Sequence, residues 1–205
     1  MVRRTFSRAE LESYRDAVVP DLLPNAPGQV LKLLFVGINP GLWTAATQTH
    51  FAHPGNRFYP ALLLGGVITE PVDPADGMSD VERTMMRERG IGISNVVHRA
   101  TAKASELSAE ELKAGGQQLV ELVARERPRV VAIAGITAYR TAFGLPRAVP
   151  GRQPDTIDDL WSGAQLWVVP NPSGLNAHET VASLAAAYRE VALAAGVIGA
   201  SGACN

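Results

Sequence analysis

Four short runs of mostly apolar residues constrain the fold of this 205-residue chain more than any other feature. Each is four to seven residues long, which is a strand length, and most end close to a glycine or a proline. The runs are Val30–Val36, Ile91–Val97, Val130–Ala134 and Leu166–Val169. Strands that are apolar on both faces belong to a sheet that is covered on both sides. The pattern therefore predicts a central, mostly parallel sheet of about four strands.

Predicted helix starts lie around and between these runs. A Ser or Asn followed three residues later by Glu is the capping-box pattern, in which both side chains bind free backbone amides. It occurs at Ser7/Glu10, Ser79/Glu82, Ser108/Glu111 and Asn176/Glu179. Because helices between successive strands imply parallel crossovers, we predict a three-layer α/β/α sandwich. A hairpin is predicted to pair Thr156–Trp161 with the last strand.

Length and composition predict a single domain over residues 1–205, with a helix at about 7–20 and the tail at about 196–205 both peripheral. The contents of 46% hydrophobic and 19% charged residues are ordinary for a globular protein. Cys204 is the only cysteine, which excludes disulfide frameworks, four-cysteine zinc sites and cysteine-ligated iron–sulfur clusters. Since no signal-peptide or membrane-spanning run is evident, we expect a cytoplasmic protein.

Charge is balanced in sum but segregated along the chain. The sequence has 19 Lys and Arg against 20 Asp and Glu, a net charge of -1, which is not that of a bulk nucleic-acid binder. No acid occurs at residues 22–69, 89–105 or 127–154, where Arg99 and Arg147 lie. Convergence of these stretches around Asn39 would produce one face that can approach phosphates. The alternative is chance clustering on solvated faces.

Two similar loops follow the first and the last predicted strand. The first is Gly37-Ile38-Asn39-Pro40-Gly41, and the last is Pro170-Asn171-Pro172-Ser173-Gly174-Leu175. Both contain Asn-Pro followed by Gly, a rigid turn whose amides and carboxamide can face a ligand. Open parallel sheets bind ligands beyond the carboxyl ends of their strands, so the two loops are expected at one site. For either loop alone, the alternative is a role in turn formation.

Other catalytic templates do not fit. The segment Gly37–Gly41 lacks the third glycine of a dinucleotide fingerprint and the Lys-Ser/Thr pair of a P-loop. Ser94 follows Gly92 as in a nucleophile elbow, but the closing glycine is missing. His50 and His53 have metal-ligand spacing without a nearby carboxylate, so we expect a structural or substrate-shaping role for them. No lysine lies in the Asn-Pro loops to form a Schiff base.

Three motifs occur in a characteristic order and spacing. They are Gly37-Ile38-Asn39-Pro40-Gly41-Leu42, Phe51-Ala52-His53-Pro54-Gly55-Asn56-Arg57-Phe58 and Asn171-Pro172-Ser173-Gly174-Leu175. Together they resemble the mismatch-specific uracil-DNA glycosylases and thymine-DNA glycosylases, and the similarity extends from about residue 31 to about residue 195. The resemblance implies an α/β/α glycosylase fold and monofunctional hydrolysis of the bond between a mismatched or damaged pyrimidine and deoxyribose. It implies no cofactor and no metal, double-stranded DNA as the partner, and a monomer acting in base-excision repair.

The resemblance also implies how the base is reached. A base inside a duplex is inaccessible, so such an enzyme flips the nucleotide out and fills the gap in the stack. Leu175, between Gly174 and Asn176, is suited to be the wedge. Phe51 would provide the ring on which the flipped pyrimidine stacks, and its alternative is a core aromatic.

Candidate catalytic and base-binding residues follow from the same resemblance. Asn39 would hold a water through its carbonyl oxygen while donating to the base, which is positioning rather than proton abstraction. The backbone amides of Ile38 and Phe51 would bind the base carbonyls, and Asn171 is the base-binding candidate of the last loop. Asn95 is a second catalytic candidate near the end of its strand, with a strand-end hydrogen-bond cap as the alternative.

The sequence departs from the most active relatives at two positions. Those enzymes have an Asp in the first loop and a His in the last, whereas this chain has the neutral Asn39 and Asn171. We therefore expect a slow enzyme with a permissive pocket. Trp43 stands where the family usually has a small residue beside the pocket, which leaves the range of bases open. The rival hypothesis is a nucleic-acid-binding α/β module with weak catalysis or none.

Overall fold

The computed structural model describes residues 5–154 and 160–199. Its strands are β1 (Leu33–Gly37), β2 (Ile91–Asn95), β3 (Val130–Ala134), β4 (Gly151–Arg152) and β5 (Gln165–Val169). They form one sheet in the order β2-β1-β3-β5-β4. The four longer strands are mutually parallel, and β4 pairs antiparallel with β5 at the edge. The predicted mostly parallel sheet is confirmed, with one short strand more than expected.

The α-helices of the described residues cover both faces of this sheet. They are α1 (Arg8–Glu12), α2 (Leu42–Thr47), α3 (Phe58–Leu64), α4 (Asp80–Glu88), α5 (Ala109–Glu126), α6 (Ile136–Phe143) and α7 (Val181–Ala195). Helices α3, α4 and α7 contribute buried residues to one face, and α5 and α6 to the other. The predicted α/β/α sandwich is therefore confirmed. None of these helices is long and apolar enough to cross a membrane.

The strand β1 shows why the apolar runs predicted a covered sheet. All five of its residues are buried. Leu33 and Phe35 pack into the layer with α3 and α7, whereas Leu34 and Val36 pack into the layer with α5 and α6. Successive side chains of a strand point to opposite faces, so a strand between two helical layers must be apolar at every position.

The predicted start of the last helix is wrong. Helix α7 begins at Val181 after the N-cap Thr180, and the partner in its capping box is Ser183. Asn176 belongs to the preceding loop, where its Nδ2 donates to the carbonyl of Asn171 at 3.2 Å. The other three predicted capping boxes are confirmed, at the starts of α1, α4 and α5.

The helix predicted over about residues 7–20 ends at Glu12. Beyond it, the backbone pairs with the segment after β2, because the amide of Asp16 donates to Ala100 O and the amide of Ala100 donates to Ala17 O, both at 3.0 Å. Pro20, which lacks an amide hydrogen, also opposes a continued helix. Residues 13–23, the N-terminal arm, run along β2 and make an antiparallel bridge between Leu22 and Ile93.

The predicted hairpin strand Thr156–Trp161 lies largely outside the described residues. The described part of it, Leu160 and Trp161, lies in a turn. In the described part of the chain, β4 supplies the antiparallel partner of β5, with Gly151 opposite Val168.

Candidate functional site

A cavity of about 750 Å³ opens at the carboxyl ends of the parallel strands. Both Asn-Pro loops line it, together with parts of the second motif (residues 51–58) and the segment at 101–105. It brings together most of the predicted site residues, namely Ile38, Asn39, Phe51, Asn95, Asn171, Gly174 and Leu175. Asn176 instead lines an adjoining cavity of about 470 Å³. The loops therefore meet at the sheet edge where the parallel topology places ligand sites.

The carboxamide of Asn39 is held in one orientation. Its Nδ2 lies 2.7 Å from Thr101 Oγ1, 3.0 Å from the carbonyl oxygen of Arg99 and 3.2 Å from that of Pro40. Carbonyl oxygens only accept, so these partners fix the nitrogen toward the protein. The Thr101 hydroxyl donates its own hydrogen to the carbonyl of Lys103, at 2.9 Å, and therefore accepts a hydrogen bond from Asn39. Contrary to the prediction, Asn39 keeps no hydrogen for a base, whereas its Oδ1 is left to bind a water.

The second carboxamide, at the end of β2, is oriented by a histidine. Asn95 is 4% exposed, and its Nδ2 lies 3.1 Å from Nδ1 of His50. The other ring nitrogen of His50, Nε2, lies 3.1 Å from the carbonyl oxygen of Pro20. Burial lowers the pKa of His50 to about 4, so the ring is neutral near pH 7 and its single hydrogen faces that carbonyl. Nδ1 therefore accepts from Asn95.

This arrangement places Oδ1 of Asn95 above Gly37, on the cavity side. A Cβ added to Gly37 would lie 2.5 Å from that oxygen and 3.3 Å from Cζ of Phe51. Only glycine leaves room for both groups at the end of β1. The glycine that ends the first apolar run is thus required by the close approach of two site residues.

Phe51 is strained into position. Its φ of 57° is left-handed, a conformation that costs a non-glycine residue ~1 to 3 kcal/mol and that clusters at functional sites. The ring stacks on Phe58 with centroids 4.2 Å apart and planes 26° apart. Phe58 belongs to the core, while Phe51 is half-buried and lines the cavity. Phe51 is therefore an extension of the core aromatics to the cavity wall.

The last Asn-Pro loop presents an exposed leucine. Leu175 is 92% exposed. The loop beneath it is held by its own side chains, because Oδ1 of Asn171 accepts from the Ser173 amide at 3.0 Å and Nδ2 of Asn176 donates to the Asn171 carbonyl. A Cβ added to Gly174 would lie 2.6 Å from the carbonyl oxygen of Gly55, so this glycine permits close packing on the second motif.

Arg57 joins that motif to the last Asn-Pro loop, residues 170–176, which we call the leucine loop. Its guanidinium donates to the carbonyl oxygens of Ser173 at 2.5 Å and Asn176 at 2.8 Å, and also to that of Glu179. Its backbone amide donates to the carbonyl of Pro172 at 3.0 Å. Guanidinium groups present several donors in a fixed planar fork, so one side chain can hold several carbonyls of a loop. Arg57 thereby braces the loop on both sides of Leu175.

Arg99, from one of the acid-free stretches, is not a free positive charge. Arg99 is paired with Asp16 of the N-terminal arm at 2.7 Å and with Glu111 of α5 at 2.8 Å. Acids distant in sequence thus neutralise the arginine beside the Asn39 loop. Arg147 is exposed in the loop before β4, and Lys103 lines the cavity.

Two aromatic side chains near the cavity differ in their relation to it. Trp43 is not among the residues that line it, because its Nε1 donates to the carbonyl of Ala75 at 2.9 Å and its ring packs edge-on against Phe6. His53 does line the cavity, and its Nδ1 accepts from the amide of Gly55 at 3.1 Å. Across residues 5–154 and 160–199, no group of three or more His, Cys, Asp or Glu is placed to hold a metal ion.

The sequence alone does not indicate the site roles of Thr101, Lys103 and Arg57. Thr101 and Lys103 carry no motif and reach the cavity only because the segment after β2 folds beside the Asn39 loop. Arg57 was part of the second motif, but its contacts with the last loop could not be read from the sequence. His50 was expected to be structural rather than a metal ligand, and its hydrogen bonds agree with that expectation.

The chain matches the family model of the uracil DNA glycosylase superfamily over residues 26–192. The matched segment contains both Asn-Pro loops and the whole cavity wall described above. The protein therefore belongs to the uracil-DNA glycosylase superfamily. Members of this superfamily are glycosylases, hydrolases that remove bases from DNA, so the protein acts on DNA. The N-terminal arm precedes the matched segment.

Proposed function

We propose that the protein is a monofunctional uracil-DNA glycosylase that excises mispaired uracil from double-stranded DNA. The observation that carries this proposal is the presence of two fixed carboxamide oxygens in one cavity bounded by an aromatic ring. The oxygen of Asn39 is available for a water, and that of Asn95 for an N–H of a base. The cavity thus offers separate places for the two reactants of a hydrolysis.

The base-binding side of the cavity suits uracil. Oδ1 of Asn95 accepts from N3–H, which uracil and thymine have and cytosine lacks. The oxygen of Asn171 is engaged by Ser173, so its Nδ2 is the group that donates to a base carbonyl. Phe51 stacks on the pyrimidine, a contact worth ~1 to 3 kcal/mol per base. The backbone amides of Ile38 and Phe51 remain candidate donors to the carbonyl where charge accumulates.

The reaction is a hydrolysis in which a bound water replaces the base. The water held by Oδ1 of Asn39 forms a bond to C1′ as the C1′–N1 bond breaks, and the electron pair of that bond leaves with the uracil. The water oxygen stays on the sugar, and the departing base gains a proton, so the products are free uracil and an abasic site. A carboxamide does not titrate, so Asn39 contributes positioning alone and the enzyme is slow.

Access to the base depends on the leucine loop. Leu175 enters the stack as the nucleotide leaves it, which offsets the cost of unstacking. Gly174 and Asn176 hold the leucine at the loop tip. A mispaired uracil is flipped more readily than a paired one, since less pairing is lost.

The test is single-turnover excision on duplexes of otherwise identical sequence that contain G·U, A·U or G·C, followed by treatment with alkali to cleave abasic sites. We expect the strand of the G·U duplex to break, and to break only after the alkali treatment. Lys103 lines the cavity, so borohydride should be included to detect a Schiff base, and no trapped adduct is expected. A trapped adduct would contradict the monofunctional mechanism. Binding without turnover would support the rival nucleic-acid-binding module.

A further inference from the structure

A chain of two hydrogen bonds runs from the N-terminal arm to the base-binding side of the cavity. The carbonyl of Pro20 accepts from Nε2 of His50, and Nδ1 of His50 accepts from Nδ2 of Asn95. His50 is 5% exposed, and its own carbonyl accepts from the hydroxyl of Tyr59 at 2.9 Å. The histidine lines no wall of the cavity, so it acts on a bound base only through Asn95.

We infer that His50 is a positioning residue that keeps Oδ1 of Asn95 toward the base and thereby selects uracil over cytosine. The inference rests on the proposed function, since it concerns which base the same cavity accepts. It assigns to His50 a specificity role beyond the structural one expected from the sequence.

The physical basis is the near symmetry of a carboxamide. Rotation by about 180° around its last torsion exchanges oxygen and nitrogen with little change of shape, so only hydrogen-bond partners determine which atom faces the cavity. The bare Nδ1 of His50 accepts but cannot donate. It therefore holds the Asn95 nitrogen and repels the oxygen.

The orientation decides which pyrimidine fits. With Oδ1 toward the base, Asn95 accepts from N3–H of uracil and opposes the N3 lone pair of cytosine. With the amide reversed, Nδ2 would donate to N3 of cytosine instead. An unmatched polar pair in a buried site is costly, so the orientation sets the selectivity.

The N-terminal arm fixes the ring tautomer on which this depends. The Pro20 carbonyl requires the hydrogen on Nε2, which leaves Nδ1 bare. Leu22 and Ile93 exchange backbone hydrogen bonds of 2.9 and 2.8 Å, and these hold the arm beside β2. A segment that precedes the family match thus contributes to base selection.

The decisive variant is His50→Gln. Glutamine places a donor near the Nε2 position, within reach of the Pro20 carbonyl, but has no acceptor in place of Nδ1. Single-turnover rates are measured for uracil and for cytosine, each opposite the same thymine so that both are mispaired. We expect the uracil-to-cytosine ratio to fall by about tenfold or more, because Asn95 becomes free to turn.

The matched control is Tyr59→Phe, which removes the hydroxyl that binds the His50 carbonyl but leaves both ring nitrogens engaged. It should lower the melting temperature and leave the ratio unchanged. An equal loss of selectivity in both variants would reduce His50 to a structural role. An unchanged ratio in His50→Gln, in a protein that excises uracil, would overturn the inference alone, whereas no uracil excision by the wild type would defeat the proposed function and the inference with it.

A second measurement uses the wild-type protein and depends neither on activity nor on the folding of a variant. Nitrogen-15 NMR of the free wild-type protein reports which ring nitrogen of each of the four histidines carries hydrogen. We expect a buried histidine with hydrogen on Nε2 that does not titrate between pH 5.5 and 8. A spectrum with no such histidine, or with hydrogen on Nδ1 of the non-titrating ring, would contradict the positioning mechanism.

Discussion

At the scale of single residues, the site depends on neutral groups whose direction is fixed by their neighbours. Neither Asn39 nor Asn95 titrates, so in the proposed function each acts through the atom that it presents to the cavity. Thr101 orients the first and His50 the second. Positioning groups of this kind contribute by lowering the entropic cost of bringing reactants together.

Thr101→Val tests the orientation of Asn39. The change keeps the side-chain shape but removes the acceptor for Nδ2, while the carbonyls of Arg99 and Pro40 still hold that nitrogen. One hydrogen bond of about 0.5 to 1.5 kcal/mol corresponds to a loss of roughly 2- to 10-fold in the single-turnover rate. Thr141→Val, which alters a hydroxyl bonded within α6, is the control and should leave the rate unchanged. Full activity of Thr101→Val would remove Thr101 from the account.

The pair of Asp21 and His98 provides a pH-dependent test of the N-terminal arm. His98 Nε2 lies 3.1 Å from Asp21 Oδ1. The hydrogen bond to Asp21 raises the pKa of His98. Burial alone would raise the pKa of Asp21, but hydrogen bonds from His98 and Ser94 outweigh burial and lower it.

Because the pKa of His98 is higher in the folded than in the unfolded state, the pair with Asp21 stabilises the fold. This stabilisation is fully present below the unfolded-state pKa of ~6.5 and is lost as the pH rises through the folded-state pKa. The lowered pKa of Asp21 keeps it ionised throughout this pH range, so it does not reverse the trend. Asp21→Asn should therefore lower the free energy of unfolding by about 1 kcal/mol more at pH 5.5 than at pH 8.5. Denaturant titrations at the two pH values measure this, and equal losses at both would show that the pair is not charged in the folded state.

At the scale of elements, insertion into DNA depends in the proposed function on how the leucine loop is held. Leu175 is exposed at a tip that Arg57 and Gly174 hold against the second motif. A rigid loop can insert its leucine without first becoming ordered, which lowers the cost of binding.

Leu175→Ala should slow excision from duplex DNA more than from single-stranded DNA. An unpaired base costs less to unstack, so the wedge matters less for it. A loss of about tenfold on the duplex is expected, with a smaller loss on the single strand. Single-turnover rates on the two substrates decide this, and equal losses would remove the wedge assignment.

Arg57→Lys should also slow excision more on the duplex than on the single strand, although residue 57 itself is not expected to contact DNA. Lysine keeps the charge but cannot reach three carbonyls with one planar fork. The losses of Arg57→Lys and Leu175→Ala should not add in the double variant, since both act through the position of the leucine. Additive losses would mean that Arg57 acts elsewhere.

The elements could be predicted from the sequence where local pattern and tertiary structure agree. The strand β3 was predicted with its observed bounds, because its apolar run matches burial on both faces. The predicted start of α7 was wrong because Asn176 forms a hydrogen bond within the leucine loop instead of capping the helix. The site was predicted in its loops but not at Thr101, which bonds to Asn39 from 62 residues away and becomes a neighbour only through the fold.

At the scale of the whole molecule, charge distribution limits how the protein binds DNA. The acid-free stretches would form one face for phosphates if they converged, but ion pairs with Asp16 and Glu111 neutralise Arg99. We therefore expect the protein to contact fewer phosphates than the sequence alone would indicate. Backbone contacts position a protein without reading sequence, so we expect selectivity to come from the base that enters the cavity.

Salt dependence measures this footprint. Neutralising about two to four phosphates gives a slope of roughly -2 to -4 in log K against log salt, at ~0.9 per phosphate. Arg147→Gln should make the slope shallower by about 0.9 if this exposed arginine contacts a phosphate. Titration of an undamaged duplex between low and moderate salt gives both values. A slope near zero would show that no charged face forms.

The most direct test of water positioning by Asn39 compares wild type and Asn39→Ala in the release of free uracil from a G·U duplex at saturating protein. We expect release by the wild type and a loss of about 100-fold or more in the variant, by analogy with the loss of a preorganised polar group at other active sites. Affinity for the duplex should stay within about twofold, because phosphate contacts dominate it. Undiminished release by Asn39→Ala would contradict the claim that Asn39 positions the attacking water and would transfer that role to Asn95.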